Sequence, residues 1–168
     1  MNQQQLDHHN YRSQAHHKEI ILLCTNVQSP ANVGALFRLA DAFAVNKLVF
    51  TTPIDLTSHR LQKMARGTHK IVPYEYVDHA ISTLLKYKED DYALLALELT
   101  TTSIPIMEFP KNHSKLVLIV GNEKFGIPQD ILNITTNAVH IPMFGNNSSM
   151  NVAQATAIAL YELSNTPL

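Results

Sequence analysis

Cysteine is almost missing from this chain: Cys24 is the only one in 168 residues. An internal disulfide and a thiolate metal cluster are both excluded, and a cytoplasmic setting fits. Cys24 lies inside the apolar run "IILLCT", where core packing is its expected role. Long hydrophobic runs are lacking too. The longest, such as "LVLIV" at 116–120, fall far short of the ~20 residues that cross a bilayer, so the chain reads as soluble with no membrane partner. The first nineteen residues, "MNQQQLDHHNYRSQAHHKE", contain no apolar run to act as a signal peptide. They read as a flexible polar extension, 1–19, ahead of a single domain over 20–168. Charge of one sign is not in excess: the net charge is −1 with histidines neutral. No global electrostatic signature of nucleic-acid binding follows, and any such partner must be held by a local patch. The pairs His8–His9 and His16–His17 have no acidic or cysteine partner at ligand spacing, so no metal site is expected. No G-x-G-x-x-G follows any strand, which argues against a dinucleotide-dependent oxidoreductase.

What is present is a core: 45% of the residues are hydrophobic, enough for one substantial domain. Short apolar and β-branched runs alternate with amphipathic segments. Strands are expected at 20–25, 47–51, 71–76, 92–98, 115–120 and 138–141. Helices are expected near 31–44, 78–88, 128–134 and 150–164, with a further helical turn around 58–65. Unbroken apolar strands such as "KLVLIV" indicate a sheet covered on both faces, hence an α/β fold with a mostly parallel sheet and helices on both sides. In such sheets ligands sit beyond the carboxyl ends of the strands. One local patch also stands out. In "SHRLQKMARGTHK", Arg60, Lys63, Arg66, His69 and Lys70 crowd beside Gly67, either as a solvated charged face or as an RNA-binding surface.

Three of the loops after strands carry chemistry. In "NVQSPANVGALFRLADAFAV", Pro30 suits the first turn of a helix, Asn32 sits near its start and Arg38 lies further along. Arg38 is either a snorkelling arginine at the edge of the buried stripe or a long arm that reaches back toward Asn32. In "GNEKFGIP", Gly121 would admit close approach to the backbone, Gly126 permits a positive φ and Pro128 opens the next helix. A tight turn explains the glycines but not Glu123, whose carboxylate would suit Arg38 or a cationic ligand. In "HIPMFGNNSSMNVAQATAIALYEL", a cluster of Asn and Ser precedes an apolar helix. Capping needs one or two of them, so Ser149 and Asn151 are expected to cap the helix and face a ligand together.

Taken in order, "NVQSPANVGALFRLADAFAV", "IVGNEKFGIP" and "IPMFGNNSSMNVAQATAIALYE" closely resemble the three motifs of the SpoU/TrmH branch of the SPOUT RNA methyltransferases, over most of the chain from about Ile20. The resemblance implies methyl transfer from S-adenosylmethionine to a ribose 2′-hydroxyl of RNA, with tRNA favoured over rRNA. It also implies a C-terminal trefoil knot and a homodimer. The catalytic residues it implies are Asn32, Arg38, Glu123, Ser149 and Asn151; the cofactor contacts are Leu99, Gly121, Ile141, Ser149 and Met150. No metal is required. The competing reading is a noncatalytic RNA- or nucleotide-binding α/β module, against which the full set of Asn32, Arg38, Glu123 and Asn151 weighs.

Overall fold

The computed structural model describes residues 4–5, 10, 12 and 16–165. In chain order the elements are β1 (Glu19–Cys24), α1 (Pro30–Ala42), β2 (Lys47–Phe50), α2 (His59–Ala65), a 3-10 turn (Thr68–Lys70) and β3 (Tyr74–Tyr76). There follow α3 (Ala80–Glu89), β4 (Ala93–Leu97), β5 (Ile104–Pro105), a second 3-10 turn (Ile106–Glu108), β6 (Lys115–Val120), α4 (Gln129–Ile134), β7 (Asn137–His140) and α5 (Val152–Ser164). The strands form one sheet in the order β3-β2-β1-β6-β4-β7-β5, and every neighbouring pair is parallel.

The unbroken apolar strands are explained by what covers them. Side chains alternate across a strand, so Ile20, Leu22 and Cys24 of β1 join one core with α1, α2 and α5. Ile21 and Leu23 join a second core with Leu84 of α3 and Ile131 of α4. Both faces are therefore dry. Cys24 is fully buried in the first core, as expected, and burial pushes its thiol pKa up.

Local sequence sets the helix starts. Pro30 stands in the first turn of α1, where its missing N–H costs nothing. Asn151 caps α5 by accepting from the Ala153 N–H at 3.0 Å. Two strands differ from expectation. The run at 71–76 is a strand only from Tyr74: the N–H groups of Ile71 and Val72 both bond back to the Thr68 carbonyl, at 3.1 and 2.9 Å, and close a turn instead. Ile71 is left 69% exposed, a β-branched residue in a loop. The second is β5, too short to show in a periodicity reading. It occupies a sheet edge, pairing Ile104 with Val139 and Pro105 with His140 on one side only, a position that tolerates a proline.

At the other end of β1, the chain is anchored before the sheet begins. The His16 ring donates from Nε2 to the Phe43 carbonyl at 2.7 Å and accepts at Nδ1 from the Lys18 N–H at 3.2 Å, which fixes its tautomer. His8, His9 and most of segment 1–15 lie outside the described residues. Among the described residues no group of His, Cys, Asp and Glu is arranged to hold a metal, and no helix is long and apolar enough to cross a membrane.

Candidate active site

The carboxyl ends of β4, β6 and β7 open into one groove of about 1740 Å³, walled by the loops that follow these three strands. Its framework is a set of bonds between the loops. The Glu98 carboxylate accepts from the N–H of Leu99 and from that of Ile127, both at 3.1 Å, and so ties the loop after β4 to the loop after β6. The Ser103 hydroxyl donates to the Thr100 carbonyl at 3.0 Å. Its single proton is thereby used, so His140 at the end of β7 donates from Nδ1 to the Ser103 oxygen, also at 3.0 Å. The third loop is thus bound to the first.

Inside the loop after β6, Asn122 and Gly126 exchange backbone hydrogen bonds at 3.2 and 2.8 Å. The Asn122 side-chain oxygen accepts from the N–H groups of Lys124 and Phe125, and its amide donates to the Asn26 carbonyl at 2.8 Å. A Cβ on Gly121 would lie 2.6 Å from the Ile127 nitrogen. The space expected to admit a ligand beside Gly121 is filled on that side by the loop's own backbone. Gly126 has φ +66°, and a Cβ there would lie 2.6 Å from the Glu98 carboxylate.

Leu99, Gly121, Glu123, Ile141, Ser149 and Met150, singled out from the sequence, all line the groove. Asn32 and Asn151 are joined to it through Glu123. The Asn32 amide donates to Glu123 Oε1, while its oxygen accepts from the Asn151 amide at 3.0 Å. With the Asn151 oxygen committed to the Ala153 N–H, each amide in this chain has one compatible orientation. Residues from three separate sequence motifs form one polar row at the edge of the groove. Arg38 is outside it. It projects from the exposed side of α1, forms no ion pair with any described residue and does not line the groove.

Glu98, Asn122, Ser103 and His140 were not picked out from the sequence. Their partners are backbone groups or lie far along the chain, and only the polar density of "ELTTTS" and "GNEKFG" signals them. The groove suits the cofactor implied by the resemblance. Leu99, Ile141 and Met150 offer apolar surface for a purine, and Glu123 offers a carboxylate to a cationic sulfonium or ammonium.

Known proteins bear on this geometry directly. The SpoU rRNA Methylase family model matches residues 19–161. The tRNA (guanosine(18)-2′-O)-methyltransferase of Aquifex aeolicus is 33% identical over 146 residues, covering 86% of this chain and 68% of that one. A 23S rRNA (guanosine(2553)-2′-O)-methyltransferase of Bacillus subtilis is 32% identical, over 85% of this chain and 57% of its own. The tRNA (guanosine(18)-2′-O)-methyltransferase of Saccharomyces cerevisiae is 31% identical over 85% of this chain, which spans only 10% of that protein. Among solved structures, the A. aeolicus TrmH/SpoU tRNA modifying enzyme superposes with a TM-score of 0.77 at 30% identity, covering 89% of this chain and 76% of that one. An AdoMet-bound rRNA methyltransferase from Sinorhizobium meliloti, 23% identical with a TM-score of 0.78, shares the fold over 89% of this chain and 57% of that one. With the matched segment running from β1 into α5 and taking in all three motif loops, the chain belongs to the SpoU rRNA methylase family.

Proposed function

We propose that this chain transfers a methyl group from S-adenosylmethionine to a ribose 2′-hydroxyl of RNA, with tRNA favoured over rRNA. The observation that carries the reading is the row Asn151–Asn32–Glu123 at the edge of the groove. Relatives acting on tRNA and on rRNA by name stand on either side of the substrate choice.

S-Adenosylmethionine supplies, when bound, a methyl group activated by its sulfonium. The residues of the chain do the rest by position and field. Leu99, Gly121, Ile141, Ser149 and Met150 form the cofactor wall, and the bonds made by Glu98 and Ser103 hold that wall in shape. Asn32 and Asn151, each fixed in one orientation, aim the ribose so that its oxygen meets the methyl carbon in line. Ser149, two residues before Asn151 on the same loop, lines the groove and is available to hydrogen-bond the sugar. A guanidinium is effectively always protonated, so Arg38 acts as a charge and a fork: it stabilises the developing alkoxide or grips the neighbouring phosphate. The proton leaves through phosphate or water.

Because Arg38 lies outside the row in one copy, we assign it to a site completed in a homodimer. Ile158 and Tyr161 of α5, 42% and 60% exposed and about one turn apart, leave an apolar strip for a second copy to cover. The trefoil knot is part of the same reading. It is supported by the insertion of β7 between β4 and β5, both of which precede it in the chain.

The test supplies labelled S-adenosylmethionine with bulk tRNA and, separately, rRNA, followed by alkaline digestion. Ribose methylation puts the label in an alkali-resistant dinucleotide, chiefly from tRNA. Label in mononucleotides would mean base methylation and end the ribose assignment.

A further inference from the structure

We propose that the surface made by α2, the 3-10 turn after it and the start of β3 binds the RNA backbone beside the active site. The inference rests on the RNA-methylation reading above and adds the place where the substrate is held.

Between Asp55 and Glu75 the chain has no acidic residue, yet it carries Arg60, Lys63, Arg66 and Lys70. All four are exposed, and none forms an ion pair with a described residue. Among the described residues the ion-paired cations lie outside this stretch: Lys47 pairs with Glu75 at 3.0 Å, and Lys111 with Glu162 at 2.5 Å. The free charges are set among exposed apolar groups, namely Met64 (41%), Ile71 (69%) and Tyr74 (42%). Phosphates need free cations and unstacked bases need flat apolar surfaces, and this face offers both. On a chain with net charge −1 such a concentration is local, which is the form an RNA footprint must take here.

The patch is held rigidly against the catalytic helix. Gly34 of α1 packs under α2, where an added Cβ would lie 2.9 Å from that of Met64 and 3.1 Å from the Ala65 nitrogen. Arg66 follows at once in a left-handed conformation, φ 48°, and the Thr68 hydroxyl bonds the Ala65 carbonyl at 2.7 Å to fix the turn. Tyr74 meets Phe37 of α1 edge to face at 5.5 Å. The basic face therefore abuts α1, the helix that carries Asn32.

The experiment measures binding of bulk tRNA by fluorescence anisotropy across a salt series. It compares the intact chain with the triple variant Lys63→Gln/Arg66→Gln/Lys70→Gln. A control, Lys86→Gln/Lys88→Gln/Lys115→Gln, removes equal charge near the amino ends of β4 and β6. The patch variant is expected to bind tRNA roughly tenfold more weakly, with the slope of log K against log salt less steep by about 2–3, as three lost phosphate contacts require. Its calorimetric affinity for S-adenosylmethionine should match that of the intact chain. Unchanged tRNA affinity and slope, or an equal loss in the control, overturns the inference. Failure of the intact chain to take up S-adenosylmethionine at all would instead overturn the underlying methylation reading.

Discussion

Asn151 uses the two ends of one amide for two tasks: its nitrogen donates to Asn32 at 3.0 Å, and its oxygen caps α5 at 3.0 Å. Stability and orientation of the polar row thus meet in one side chain, and substitutions separate them. Asn151→Asp keeps the capping oxygen but loses the donor, so methyl transfer should fall about a hundredfold with thermal stability nearly unchanged. Asn151→Ala should lose both, and cost about 1 kcal/mol in chemical denaturation as well. An aspartate variant with full activity would remove Asn151 from the orienting row.

Glu98 accepts two backbone N–H groups from different loops, which a neutral amide with one oxygen does not reproduce. Glu98→Gln is expected to weaken S-adenosylmethionine binding by roughly tenfold, as leaving one N–H unpaired costs on the order of 1–3 kcal/mol. Isothermal titration calorimetry reads this without turnover. Intact affinity in the glutamine variant would mean the loops keep their shape without the bond.

Gly34→Ala places a methyl where α1 and α2 already touch. Overpacking of this kind costs about 1–3 kcal/mol or more, visible as a lower denaturant midpoint. An alanine variant as stable as the parent would show that the two helices part freely.

Tyr92 donates its hydroxyl to Glu19 at 2.9 Å and meets Tyr87 edge to face at 5.2 Å. Burial first, then the Glu19 carboxylate, pushes its pKa up to about 12. The folded state therefore holds this proton more tightly than the unfolded chain, whose tyrosines ionise near 10. The stabilisation is complete below about pH 10 and disappears as pH rises toward 12. Denaturation midpoints between pH 9 and 12 should fall more gently for Tyr92→Phe than for the parent; equal slopes would contradict this.

Legibility in the sequence followed burial. β1 and β6 are enclosed on both faces, so they read as unbroken apolar runs such as "KLVLIV" and stood out. Pro30 and Asn151 announced two helices by chemistry that acts within a turn. Ile71 and Val72 misled because β-branched residues favour strands, whereas two hydrogen bonds to the Thr68 carbonyl decide for a turn. Among site residues, Asn32, Glu123 and Asn151 were legible from their motifs, and the structure joins them. Glu98 was not, because its partner at Ile127 is a backbone group that any sequence would offer. Arg38 shows the limit of proximity along a helix: positions nearly two turns apart differ in direction by roughly 120°, and the one copy leaves it facing solvent.

The register that sets Glu19 beside Lys115 has a consequence during synthesis. β2 follows β1 closely along the chain, but the other neighbour of β1, β6, is made only after β2, β3, β4 and β5. Throughout that interval the nascent chain carries a bare, greasy strand flank with open hydrogen-bonding groups, the kind of template on which two polypeptides zip together. Translation speed over the segment ahead of residue 115 thereby becomes a determinant of how much active protein a cell recovers.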